Sequence, residues 1–186
     1  WAKTFDKTMT KQERFQGYTR NIQQVQMMHQ NDKFFYTTTP GYAAVDLPYG
    51  NGAYSMTVLL PHNGHSIDEI MKNLTAEKLL QTDQNMTEHI VDLKLPRFSL
   101  EQETSLNSII AKLGAPSIFD ASKANFSHMT AAPMHISNML QKAKIEVNEK
   151  GTKAAAVTTA IMTMSLAPEE PQHVEFHATR PFVYII

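Results

Sequence analysis

Residues 146–160 read EVNEKGTKAAAVTTA, and this stretch is the most informative part of the 186-residue chain. Its three consecutive alanines favour a helix, but the β-branched residues around them are more numerous and favour a strand. With a period of two, one face of that strand holds only small side chains, namely Thr152, Ala154, Ala156, Thr158 and Ala160. A strand that slides between two packed strands needs such a face, and it needs no proline to interrupt its hydrogen-bond ladder.

The residues on either side are consistent with a mobile strand. Gly151 supplies a flexible pivot near the start of the stretch, and no proline occurs between Pro133 and Pro168. Upstream, Ile145 and Val147 alternate with polar neighbours, which predicts a strand that leads into the stretch.

The rest of the chain predicts an α+β fold with largely antiparallel sheets, because strands and helices are mixed without βαβ alternation. The segments with strand-like patterns are 44–49, 54–60, 91–95, 98–100, 174–178 and 182–186. A Gly-Asn-Gly turn at 50–52 predicts that the first two of these segments form a strand pair. We find no internal repeat and no low-complexity linker, so the sequence predicts one domain over residues 1–186.

Helices are predicted where apolar residues recur at i, i+3, i+4 and i+7. Ser66 and Glu69 form a capping box at the start of the clearest helix, whose apolar face is Ile67, Ile70, Met71 and Leu74. Another helix has the apolar face Leu106, Ile109, Ile110 and Leu113. Gly114 is its expected C-terminal cap.

Composition excludes several classes of protein. The chain is 42% hydrophobic with a formal net charge of −1, so it can form a core, and its charge gives no argument for binding nucleic acid. The absence of cysteine excludes disulfides, cysteine-ligated metals and a cysteine nucleophile. No apolar run approaches the ~20 residues of a membrane span.

No pattern of catalytic or metal-binding residues stands out. His62 and His65 lie in a turn-like segment without a third ligand nearby, so an exposed turn is the expected environment. Glu101 and Glu103 fall on the same face of a strand, which favours a solvated edge over paired catalytic carboxylates. The sequence has no G-x-S-x-G motif, no H-E-x-x-H motif and no glycine-rich phosphate loop. We therefore expect neither an enzyme nor a cofactor or metal site.

Residues 146–156 closely resemble the hinge of an inhibitory serpin, and further matches follow the order of that family along the whole chain. Trp1 resembles the tryptophan at the top of the family's large sheet. The other matching segments are VQMMHQ at 25–30, LPY at 47–49, LLP at 59–61, LPRF at 95–98, LG at 113–114, ANFS at 124–127 and RPF at 180–182. One departure is Gln141, which stands where many members carry a histidine.

The resemblance implies a fold of three mainly antiparallel sheets with surrounding helices, and a serine-protease inhibitor as the function. In such a protein an exposed loop is cleaved as bait, the protease is held as an acyl-enzyme, and the loop inserts into the large sheet. By this resemblance the hinge covers about 146–160 and the reactive-centre loop about 161–173. The implied hinge residues are Glu149, Gly151, Thr152, Ala154, Ala155, Ala156 and Thr158.

The expected cleavage site lies in the middle of the loop. Counting the usual family spacing from Glu149 places Ser165 before the scissile bond, whereas protease pockets favour the extended apolar side chain of Met164. The predicted bond is therefore Met164–Ser165 or Ser165–Leu166. No Lys or Arg occurs between Lys153 and Arg180, which favours an elastase-, chymotrypsin- or subtilisin-like protease over a trypsin-like one.

Further expectations follow from the resemblance. A non-inhibitory serpin, acting as a carrier or chaperone, is the alternative, although the small face from Thr152 to Ala160 favours inhibition. Both ends of the chain look truncated, so we expect residues 1–186 alone to be inactive and to self-associate by strand addition. The family also implies a secreted, extracellular protein.

Overall fold

The structure is a computed structural model that describes residues 1–152 and 171–186. In these ranges the regular elements, in chain order, are β1 (Lys11–Gln16), β2 (Ile22–Thr38), β3 (Tyr42–Pro48), β4 (Ser55–Pro61), α1 (Ile67–Asn73), α2 (Ala76–Gln84), β5 (Thr87–Pro96), β6 (Phe98–Ser105), α3 (Asn107–Lys112), β7 (Leu140–Asn148), β8 (Gly151–Thr152), β9 (His173–His177) and β10 (Val183–Ile185). Short 3₁₀ turns occur at Lys7–Met9 and Pro116–Phe119.

The chain folds into two compact units. The larger unit combines Trp1–Phe98 with Glu146–Ile186, and the smaller unit is Ser99–Ile145. The sequence gives no sign of this division, because no change of composition marks either boundary.

The larger unit is built on a sheet with the strand order β10-β4-β3-β2-β5-β9, and β1 pairs with β2 beside this path. All neighbours are antiparallel except β5 and β9, which run parallel. Its most deeply buried side chains are Met27, Met28, Val45, Met56, Val58, Leu59, Val91, Leu93, Leu95 and Phe176. The predicted α+β architecture with largely antiparallel sheets is confirmed.

The predicted strand pair corresponds to β3 and β4, in which Val45 lies opposite Val58. Gly50 and Gly52 both have positive φ, at 41° and 78°, a region that glycine enters without steric cost. The period-two pattern of β5 is also confirmed, since Val91, Leu93 and Leu95 are fully buried.

A second sheet has the strand order β6-β7-β8. Within the smaller unit, Lys142 and Lys144 extend from β7 to the carboxylates of Glu103 and Glu101, each at 2.9 Å. The two glutamates are therefore paired across strands, although the sequence predicts only a solvated edge. These side chains are mostly exposed, so each pair contributes little to stability.

The first predicted helix is α1, and half of its capping box forms. Ser66 accepts a hydrogen bond from the Glu69 backbone N–H, while the Glu69 carboxylate lies 2.8 Å from His65 Nδ1. Ile70 is buried against Ala44, Leu59 and Met86. The assignment of Met71 to the buried face is wrong, because its side chain is 58% exposed.

The second predicted helix is α3, and Gly114 follows it with φ of 108°, as expected of a C-terminal cap. The periodicity identifies the helix but not a buried face, since Ile109 and Leu113 are exposed. None of residues 99–145, all of which the structure describes, is buried. In this unit the spacing of apolar residues therefore predicts where a helix forms, but it does not predict which side chains are buried.

Candidate functional site

The candidate site is the root of the predicted hinge, where β7 turns into β8. The two strands are antiparallel, and a two-residue turn at Glu149 and Lys150 joins Asn148 to Gly151. The structure describes the predicted hinge residues Glu149, Gly151 and Thr152. The remaining predicted site residues, Ala154, Ala155, Ala156, Thr158, Met164, Ser165 and Leu166, lie outside the described residues.

Gly151 is needed here for two reasons other than the flexibility that the sequence suggests. Its φ is 131°, a conformation that side chains rarely adopt. A Cβ at this position would lie 2.6 Å from the backbone nitrogen of Trp1. The position therefore allows close approach of two backbone segments, and any larger residue would force them apart.

Trp1 holds the hairpin from one side. Its backbone nitrogen donates to the Lys150 carbonyl at 3.0 Å, and its indole Nε1–H donates to the Asn148 carbonyl at 2.8 Å. The indole ring stacks on Tyr49, with ring centroids 4.9 Å apart and an angle of 9° between the planes. Trp1 is buried, so these contacts fix both strands of the turn to the end of β3.

Tyr49 also contacts Thr152, the first small residue of the predicted hinge. Its hydroxyl lies 2.5 Å from Thr152 Oγ1. Burial raises the pKa of Tyr49, against the opposing effect of the hydrogen bond with Thr152. The phenol is therefore neutral at physiological pH, and it joins Thr152 through an uncharged hydrogen bond.

Glu149 is the one charged residue that is buried in residues 1–152 and 171–186. Its Oε1 accepts a hydrogen bond from Thr10 Oγ1 at 2.6 Å and from Arg97 Nε at 2.7 Å, and Arg97 Nη2 donates to the same oxygen. Its backbone carbonyl accepts from Phe5 N at 3.0 Å. The polar groups of Glu149 are thus held by the N-terminal segment, through Phe5 and Thr10, and by Arg97.

The ionised form of Glu149 is favoured. Burial on its own raises the pKa of this carboxyl, but hydrogen bonds from Arg97 and Thr10 and the charge of Arg97 outweigh it. The pKa of Glu149 therefore lies below its usual value. The result is a charged anchor that remains intact through the neutral pH range.

Sequence reasoning misses most of these anchors. Arg97 and Tyr49 lie in segments that match the serpin pattern, but the sequence assigns them no role, and Thr10 and Phe5 belong to no matching segment. Only Trp1 is singled out in advance. In the sequence, Arg97 could have indicated this anchor. It follows Pro96 and interrupts a half-buried strand pattern, and an arginine in that setting needs an acidic partner.

The other candidate positions, His62 and His65, lie between β4 and α1, where His65 is exposed as expected but His62 is half-buried. His62 Nε2 lies 2.9 Å from the Thr39 carbonyl and 3.0 Å from Thr38 Oγ1, while His65 contacts Glu69. Across residues 1–152 and 171–186, no group of three His, Cys, Asp or Glu side chains is arranged to hold a metal ion. Among the same residues, no helix is long and apolar enough to cross a membrane.

Comparison with known proteins identifies the class of protein that this fold and hinge define. The family described as "Serpin (serine protease inhibitor)" matches residues 1–186. The chain belongs to the serpin family, as the resemblance predicts.

The relatives are named inhibitors and B-group serpins. The chain is 38% identical to leukocyte elastase inhibitor A of Rattus norvegicus over 196 residues, and 36% identical to human serpin B3 over 191 residues. Both alignments cover 100% of this chain but only 51% and 48% of the relatives. The chain therefore spans about half the length of the curated relatives that it matches.

Solved structures give the same fold. A serpin from the trematode Schistosoma haematobium has a TM-score of 0.81 at 25% identity, and native protease nexin-1 with heparin has a TM-score of 0.78 at 28% identity. Each comparison covers 99% of this chain and 48% of the other. The multi-sheet serpin fold is thus confirmed from the structure as well as from the sequence.

The prediction of a secreted, extracellular protein is wrong. The relatives include leukocyte elastase inhibitors and serpins B3, B4 and B6, and these are intracellular serpins of the B group. The prediction came from the serpin family as a whole. The relatives overturn it because they belong to a branch whose location differs from that general expectation.

Proposed function

We propose that the protein containing this chain inhibits serine proteases by inserting a cleaved reactive-centre loop into its large sheet. The observation that carries the proposal is the pairing of Gly151 and Thr152 with β7, because these two residues begin the proposed hinge and lie beside the strand that the loop would join. The sequence then continues with the small residues Ala154, Ala156 and Thr158 at alternate positions. Small side chains allow a strand to enter between packed neighbours.

The root of the hinge supports this role because it is fixed where the moving segment would begin. Glu149 is anchored by Arg97 and Thr10, and Trp1 holds the turn that follows it. A loop that carries a bound protease needs a firm attachment at one end. Insertion in our proposal starts at Thr152 and proceeds along β7.

The scissile bond is proposed to be Met164–Ser165 or Ser165–Leu166, which lie outside the described residues. An elastase-, chymotrypsin- or subtilisin-like enzyme is the proposed target, since such enzymes accept apolar residues before the bond. Relatives named leukocyte elastase inhibitor support a target of this kind. The domain assignment is a hinge at 146–160 and a reactive-centre loop at about 161–173.

We further propose that residues 1–186 in isolation do not inhibit. In the described residues β8 has β7 as its neighbour and lies at the end of the order β6-β7-β8. An inserted loop would form one ladder of hydrogen bonds there instead of two, at about 1 kcal/mol net for each bond. An open edge of this kind also favours self-association by strand addition.

The test uses the complete protein that contains this chain. After incubation with an elastase-like protease, an inhibitor gives a covalent complex that survives SDS, together with a cleaved form whose new terminus mass spectrometry locates between Thr163 and Ala167. Cleavage without any SDS-stable complex would support the alternative, a non-inhibitory serpin. A cut outside Thr163–Ala167 would contradict the assignment of the bond.

A further inference from the structure

A polar cleft of about 700 Å³ lies in the larger unit, away from the hinge. Its lining comes from the turn between β1 and β2, the loop between β4 and α1, and the segment after β9. The basic side chains in this lining are Arg20, His62, His65 and Arg180. The protease-inhibitor proposal does not use any of them.

Arg180 is a partly buried cation, and no acidic side chain in residues 1–152 or 171–186 forms an ion pair with it. Its Nε and Nη2 both donate to the Pro61 carbonyl, at 3.1 and 2.7 Å. Burial lowers the pKa of this guanidinium. A guanidinium has five N–H donors, so the donors that do not contact Pro61 remain for another acceptor.

Arg20 is the second arginine in the lining. It is exposed, and its φ of 63° is the only positive value at a non-glycine residue in the described chain. The turn is closed by hydrogen bonds from Gly17 N to Asn21 O at 2.7 Å and from Arg20 N to Gly17 O at 2.9 Å. Glycine or asparagine adopts this conformation at lower cost, so an arginine here is unfavourable for the turn itself.

The acidic groups near the cleft are already engaged. Asp68 accepts a hydrogen bond from the Tyr18 hydroxyl at 2.6 Å, which also ties the β1–β2 turn to the start of α1. Glu69, on the same helix, contacts His65 Nδ1 at 2.8 Å. Two arginines therefore face the cleft against one lining carboxylate, that of Asp68.

We propose that this cleft binds a tetrahedral oxyanion group, a phosphate or a sulfate, between Arg20 and Arg180. Planar guanidinium groups match the oxygens of such an anion in two-point hydrogen bonds. The cleft is much larger than a free ion, so the group is carried on a larger molecule such as a sugar. The proposal is independent of protease inhibition.

The test measures binding of inorganic phosphate and of a sugar phosphate to the complete protein by calorimetry at constant ionic strength. We expect both to bind, and the sugar phosphate to bind more tightly. Equal affinities would assign the site to the free ion. Arg20→Gln should weaken binding about tenfold, because one charge-assisted contact is lost.

Two further variants separate binding from folding. Arg20→Gly should raise the midpoint of thermal unfolding without ligand, since glycine suits the positive φ, and yet it should weaken phosphate binding like Arg20→Gln. Arg14→Gln removes an exposed arginine of the same hairpin outside the cleft, and should bind phosphate like the parent. The proposal is overturned if phosphate does not bind the parent, or if Arg14→Gln and Arg20→Gln weaken binding equally.

Discussion

Replacement of Glu149 by alanine tests whether the charged anchor holds the root of the hinge. Removing one partner of a buried ion pair costs about 3–5 kcal/mol when both groups are buried. The Glu149 side chain is 10% exposed but that of Arg97 is 33% exposed. Water can therefore solvate part of the guanidinium that is left behind, so we expect Glu149→Ala to lower the free energy of unfolding by about 2–3 kcal/mol.

The assay is urea unfolding of the complete protein, followed by circular dichroism, in a double-mutant cycle of Glu149→Ala and Arg97→Ala. Glu88→Ala is the matched control, because Glu88 pairs with Lys33 at 2.8 Å while both side chains are 51% exposed. An exposed pair of this kind contributes about 0–1 kcal/mol. A coupling free energy between Glu149 and Arg97 below about 0.5 kcal/mol would refute the anchor, since it would equal that of a surface pair.

Three other predictions concern the same region. The free energy of unfolding should fall as the pH drops below 4.5, the ordinary pKa of a glutamate, because a carboxyl whose pKa is lowered by folding stabilises the protein only while it is ionised. Urea unfolding between pH 7 and pH 3 should show this fall. In Glu149→Gln the part of the fall that is due to Glu149 should be absent. Trp1→Phe keeps the aromatic ring beside Tyr49 but loses the indole donor to Asn148, so thermal unfolding should report a loss of about 1 kcal/mol, and an unchanged midpoint would contradict the assigned hydrogen bond. Thr152→Arg should turn the proposed inhibitor into a substrate, because an unpaired guanidinium is costly to bury. Gel assays should then show cleaved protein without an SDS-stable complex. Lys153→Arg, on the opposite face of the period-two pattern, is the control and should still form the complex.

The sequence predicts those parts of the fold in which one face of an element is buried. Val91, Leu93 and Leu95 alternate with polar residues because one side of β5 faces the core, and the pattern records that fact. The glycines at 50 and 52 likewise report the turn between β3 and β4 through the backbone conformation that they permit.

The anchors of the hinge are not predictable in the same way. Arg97 and Glu149 are 52 positions apart, and the indole of Trp1 reaches a carbonyl 147 positions away. Neither contact leaves a periodic signal, because each depends on how distant segments are placed by the sheets. The resemblance to a known family predicts the position of the hinge, whereas its partners depend on how the chain folds.

The residues at the root of the predicted hinge differ in how firmly they are held. Before Gly151, Glu149 is held through side chain and backbone by Arg97, Thr10 and Phe5. Thr152 is held within the described residues by the uncharged hydrogen bond between its side chain and the Tyr49 hydroxyl. A neutral hydrogen bond of that kind contributes about 1 kcal/mol net, which is less than the cost of removing one partner of the Glu149–Arg97 pair.

This difference predicts separable effects at the two positions. A change at Glu149 should lower the stability of the native protein, because its partners are lost before any protease arrives. A change to a large charged residue at Thr152 should instead act after cleavage, when insertion of the loop competes with hydrolysis of the acyl-enzyme. Measuring unfolding free energy and the yield of SDS-stable complex on Glu149→Gln and Thr152→Arg tests the division. If both variants lose stability and complex yield in parallel, the root acts as a single structural element and the boundary at Gly151 has no functional meaning.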